Sequence, residues 1–152
     1  MKDKRHVIER WWQHYSPELD RITDYELLVL KIQIAVEDAL RNLLAMRLGA
    51  QDEYIVDLDL TFSRLLRLAL PSAKDQLLQQ AFLALNRARN QVAHHVQNPK
   101  FMRSINEFLS LMSKTATHKI DHTQKDRQQL LRDTGYAAIG EVLYRAAKYW
   151  KE

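Results

Sequence analysis

The chain contains no cysteine, and only three glycines and three prolines in 152 residues. Lack of cysteine excludes disulfides and thiolate metal sites, and weakly favours a reducing compartment. Tight turns draw on glycine and proline, so their scarcity speaks against a β-rich fold and for long helices with short connections. A long uninterrupted apolar run is missing too: the most hydrophobic stretch, residues 27–48, is broken by Lys31, Glu37, Asp38 and Arg41. A bilayer span, which needs about 20 consecutive apolar residues, is therefore not expected. Met1-Lys2-Asp3-Lys4-Arg5-His6 leads into no apolar signal core, so the expected location is cytoplasmic. No Gly-rich phosphate loop, Ser/His/Asp triad or catalytic pair of carboxylates stands out.

Hydrophobic residues make up 46% of the chain and charged ones 28%, the balance of an ordinary globular protein. The length suits one domain, residues 1–152, large enough to bury a core without staples. A net charge of +4 and a pI near 9.4 are compatible with an anionic partner without demanding one.

The apolar spacing predicts a single all-α bundle of five or six helices, with no convincing strand. A first helix over residues 2–15 carries Val7, Ile8, Trp11, Trp12 and Tyr15 at helical intervals. Ser16-Pro17-Glu18 has the form of a restart, a capping serine followed by proline at the first helical position. Thr23 and Glu26 offer a capping box, so a long helix is expected from near Asp24 to Leu48, with Gly49 as its stop. Residues 51–57 read as a loop in which Tyr54-Ile55-Val56 is possible extended chain. The next helix is expected over 58–70, ending before Pro71. Ser72 then caps a helix whose Leu78, Ala81, Phe82, Leu85, Ala88, Val92 and Val96 line one face, ended by Pro99. Residues 101–116 form a further helix; Asp121 or Thr123 opens the last, with a break expected at Gly135.

The helix after Ser72 holds the most informative run of the sequence, Leu85-Asn86-Arg87-Ala88-Arg89-Asn90-Gln91-Val92-Ala93-His94-His95. Arginine carries a fixed positive charge and five donors, and histidine can exchange a proton near neutrality. These are the minimum parts for working on a phosphodiester.

Arg89-Asn90-x-x-x-His94, late in an amphipathic helix of an all-helical chain of this size, resembles the Arg-x(4–6)-His signature of the HEPN superfamily, in the form where a polar residue follows the arginine. At motif level the resemblance covers about a dozen residues. It implies a HEPN-like bundle that either cleaves RNA without a metal or cofactor or binds RNA in a regulatory role. In the catalytic form His94 would act as general base or acid at the ribose 2′-hydroxyl and the leaving oxygen. Arg89 would steady the negatively charged phosphorane, and Asn90 would hold its neighbours in place. The products would be a 2′,3′-cyclic phosphate and a 5′-hydroxyl. A homodimer that joins two motifs across one cleft is implied, as is a role as a toxin, with an antitoxin or other regulatory protein as partner, or as a defence effector. The toxin branch of that family often carries a tyrosine two places after the histidine, where this chain has Val96.

Helix geometry keeps other pairings open. Residues five apart lie about 140° around a straight helix, so Arg89 falls at the edge of the buried stripe while His94 points nearly opposite. Arg87, Asn90 and His94 share one polar face. Arg87 with His94 satisfies the longest family spacing and Arg89 with His95 the intermediate one. A distorted helix, or an arginine meeting the other protomer's histidine, would reconcile Arg89 with His94. A plainer reading makes the arginines solvated charges and the histidines helix-end residues.

His118 and His122 stand four apart without a third ligand, which reads as solvated histidines rather than a metal site. Trp11, Trp12 and Tyr15 beside Arg5, Arg10 and His14 are suited to stacking bases, although core or interface is the favoured reading. Lys114, Lys119, Lys125 and Arg127 would form a phosphate path if they faced the motif. Gly135, Ala138 and Gly140 are small enough for close helix approach, for example at a dimer seam. A non-catalytic binding or adaptor module competes with the ribonuclease; a DNA binder ranks last because no helix-turn-helix is evident.

Overall fold

The computed structural model describes residues 4–94, 98–115, 120–121, 123 and 125–149. Among the described residues there are seven α-helices, two short 3-10 turns and no strand. The helices are α1 (Lys4–Arg21), α2 (Tyr25–Leu48), α3 (Asp52–Asp57), α4 (Phe62–Ala69), α5 (Gln76–Ala93), α6 (Asn98–Thr115) and α7 (Arg127–Ala146).

Helix α2 lies at the centre because it is apolar around most of its circumference. Leu28, Val29, Ile32, Ala35, Val36, Ala39, Leu40, Leu43 and Leu44 are all buried, and α1, α3, α4, α5 and α7 pack against it. Asp24, not Thr23, is its N-cap, accepting from the Leu27 N–H at 2.7 Å. Gly49 ends it in the left-handed region at φ 63°, where its N–H reaches the carbonyls of Ala45 and Met46. Phe101, Ile105, Phe108 and Met112 supply the buried stripe of α6, which lies along α5.

Several boundaries differ from those predicted by sequence. Ser16-Pro17 does not restart a helix; Pro17 lies inside α1. An interior proline forfeits one helical hydrogen bond and costs about 3 kcal/mol, but Tyr15, Leu19 and Ile22 on the same segment are buried in the core. Arg132 of α7 further fixes this end of α1, donating to the carbonyls of Leu19 at 3.2 Å and Ile22 at 2.9 Å. Residues 52–57 are helical, not loop or extended. Asp52 and Glu53 sit in the first turn of α3, where acidic side chains suit the helix dipole, and Ile55 anchors it in the core.

Helix α4 begins at Phe62 because Thr61 caps it, accepting from the Arg64 N–H, whereas Asp59 has φ 49° and interrupts any earlier start. Pro99 does not end α5, which stops at Ala93; it falls in the first turn of α6, where proline lacks no needed donor. Asp126, not Asp121 or Thr123, opens α7, accepting from the N–H groups of Gln128 and Gln129. Asp121 instead accepts from both the backbone and the hydroxyl of Thr123, forming a local turn.

Helix α7 runs unbroken through Gly135. A Cβ at that position would stand 2.6 Å from Ile32 Cδ1, so the glycine lets α7 lie directly on α2. Gly135, Ala138 and Gly140 are thus buried within one chain and not at a dimer seam.

Candidate functional site

The Arg-Asn-His run occupies the last turns of α5. Upstream, Leu78, Ala81, Phe82, Leu85 and Ala88 hold the helix to the core, and the Gln33 side-chain amide on α2 donates to Asn86 Oδ1 at 3.3 Å. Toward its C-terminus the helix surfaces: Arg89 and His94 are exposed and Asn90 is half-buried.

Arg89 Nη1 donates to Asn90 Oδ1 at 3.0 Å. His94 is the C-cap of α5 at φ −99°, ψ 11°, and its backbone N–H donates to the Asn90 carbonyl at 3.0 Å. Asn90 therefore links the other two, to Arg89 through its side chain and to His94 through its backbone. The guanidinium and imidazole themselves make no direct contact among the described residues. Because His94 ends the helix, a straight-wheel angle no longer fixes its direction relative to Arg89.

The competing arginine is occupied. Arg87 Nη2 meets Glu107 Oε2 of α6 at 2.6 Å, an exposed ion pair that turns this side chain toward α6. Among the described residues no carboxylate pairs with Arg89. His95 and Val96 lie outside the described residues, as do His118, His122 and Lys119. Of the other lysines and arginines considered for a phosphate path, Arg127 is tied to Asn106 Oδ1 of α6, while Lys114 and Lys125 are exposed. Among the described residues no group of three His, Asp or Glu side chains gathers to hold a metal ion.

The N-terminal aromatics serve mainly the core. Trp12 packs edge-on against Tyr136 of α7 at 4.8 Å between ring centres. Trp11 stacks on Tyr15 at 5.3 Å, and the Tyr15 hydroxyl donates to Asp38 of α2. Burial, followed by that hydrogen bond to a carboxylate, pushes the Tyr15 phenol well above its ordinary range. A cleft of about 240 Å³ lies against Arg10, Trp11, His14, Tyr15 and Asp38.

Sequence reasoning missed Glu107 and Gln33. Each meets α5 from another helix, and no local pattern marks such a partner. Asn86, one helical turn before Asn90, was legible as a polar position but not as the contact to α2.

Comparison of the chain with protein-family models, with curated proteins and with solved structures found no match. Among the described residues no helix is long and apolar enough to cross a membrane.

Proposed function

We propose that this protein acts on RNA through the exposed end of α5, as a HEPN-like endoribonuclease that needs no metal. The observation that carries the reading is the state of the two arginines. Arg87 is neutralised by Glu107, whereas Arg89 is exposed, steadied by Asn90 and next to the turn that presents His94.

In this reading the Arg89 guanidinium binds the scissile phosphate. His94 takes the proton from the ribose 2′-hydroxyl, the freed oxygen attacks phosphorus, and the bond to the 5′-oxygen breaks. The departing 5′-oxygen takes up a proton from water, to which His94 in turn releases its own, leaving a 2′,3′-cyclic phosphate and a 5′-hydroxyl. Positive charge at the phosphorane lowers the barrier because it is already in place when the negative charge develops. The separation of guanidinium and imidazole within one chain supports a composite site, in which two protomers face each other and Arg89 of one works with His94 of the other. Action as a toxin or defence effector in the cytoplasm, restrained by a partner protein, extends the same proposal.

The test separates cutting from holding. A His94→Ala variant that still retains RNA on a filter but no longer shortens it supports catalysis. A wild type that retains RNA and never shortens it favours the alternative, a non-catalytic RNA-binding module.

A further inference from the structure

At the opposite end of α5 lies a second recess, framed by the C-terminal ends of α2, α4 and α7. Its volume is about 380 Å³, within the range of small-ligand pockets. Four cationic side chains line it, Arg47, Lys74, Arg145 and Lys148, against two carboxylates, Asp75 and Glu141.

The charges are not all alike. Arg145, mostly buried, is fully engaged, holding Asp75 through Nε and Nη2 at 3.0 and 2.7 Å and Glu141 through Nη1 at 2.8 Å. Arg145 thus meets both carboxylates. Arg47, Lys74 and Lys148 remain around the rim with no carboxylate partner among the described residues. Two of these are oriented by rings: the Arg47 guanidinium stands 5.6 Å from the centre of Tyr149, and Lys148 Nζ 5.3 Å from that of Tyr144. Arg47 also donates to the Ala69 carbonyl at 3.2 Å, which fixes its reach. Both tyrosines keep much of their surface open, 56% for Tyr144 and 41% for Tyr149.

Three cations with no carboxylate partner among the described residues attract an anion of more than one charge, and a phosphate monoester carries about two. Each exposed tyrosine ring, on the side its cation leaves free, suits a flat aromatic group, since bases stack on aromatic side chains with little sequence preference. We propose that this recess binds a mononucleotide, its phosphate held by Arg47, Lys74 and Lys148 and its base against Tyr144 or Tyr149. The pocket lies at the start of α5 and the Arg89–His94 turn at its end; from Gln76 to Arg89 alone the helix rises about 20 Å. It is therefore a second site, and the inference does not rest on the reading of the α5 motif.

Titration calorimetry of the full chain with AMP at low salt tests this, with adenosine and inorganic phosphate as separate ligands. The expected result is one-to-one sub-millimolar binding of AMP, and weaker binding of adenosine and of phosphate alone. Lys74→Ala combined with Lys148→Ala should weaken AMP at least about tenfold. Both lysines are exposed, so circular dichroism should show an unchanged fold in this variant. An Arg89→Ala variant should bind AMP as the wild type does. No AMP binding at millimolar concentration overturns the proposal. So does binding that survives the double substitution or is lost with Arg89→Ala, since the nucleotide then sits elsewhere. Phosphate binding as tight as AMP overturns the role of the tyrosines.

Discussion

Arg87 on α5 and Glu107 on α6 meet at 2.6 Å, and this ion pair distinguishes two arginines only two positions apart. In the proposed mechanism Arg89, which has no carboxylate partner among the described residues, is the guanidinium that takes the phosphate. Replacing Arg89 with alanine is expected to slow RNA cleavage about 10²- to 10³-fold, the scale of losing one preorganised donor to developing charge. Arg87→Ala removes an exposed ion pair, worth less than about 1 kcal/mol of stability, and should leave cleavage near the wild-type rate. Initial rates on a labelled RNA, with melting temperatures to confirm folding, check both.

Gly135 is where α7 comes closest to α2. In a Gly135→Ala variant the added methyl meets Ile32 Cδ1 and Cγ1, at 2.6 and 2.8 Å from the new carbon. Alanine gains about 1 kcal/mol in helix propensity, while overpacking costs about 1–3 kcal/mol. The net effect expected is a loss of stability of about 1 kcal/mol, seen as a lower midpoint in urea. Adding Ile32→Val removes the nearer clashing atom, so the second substitution should restore part of the loss in a double-mutant cycle.

Tyr136 ties α7 to α1 by donating to the Ser16 carbonyl and to Asp20. Burial, then the hydrogen bond to Asp20, pushes its phenol from the ordinary 10.0 up to about 12. The folded chain therefore keeps this proton after the unfolded chain has begun to lose it. Stability from this group is complete below pH 10 and is lost as pH rises through about 12. Melting temperatures measured from pH 8 upward should fall less steeply above about pH 10 in Tyr136→Phe than in the wild type. Equal slopes would contradict the assignment.

Arg145 is the cation between Asp75 and the buried Glu141. Its replacement by alanine leaves a buried carboxylate without that partner, and a loss of about 3 kcal/mol is expected from chemical denaturation. Arg145→Met paired with Glu141→Gln should lose markedly less, because the buried charge is removed together with its partner.

The helical class was legible because its signals are local. Gly49 as the stop of α2, Pro71 after α4 and the buried stripe of Leu78, Phe82 and Leu85 each follow from residues within a turn or two. What escaped depends on distant partners. Pro17 reads as a start until the burial of Tyr15, Leu19 and Ile22 around it is known, and Gly135 reads as a break until Ile32 is found against it. The α5 motif was legible as a set of residue types. The difference between Arg87 and Arg89 was not, because Glu107, the partner that occupies Arg87, lies twenty residues away.

The central claim is that the end of α5 cleaves RNA by proton transfer through His94. The most direct measurement incubates a mixed RNA pool with the wild type and with His94→Ala in EDTA, then maps the chemistry of the new ends. The expected result is 2′,3′-cyclic phosphate and 5′-hydroxyl ends at defined sites with the wild type, and none above background with the variant. RNA left intact by both, or cut equally by both, would contradict it.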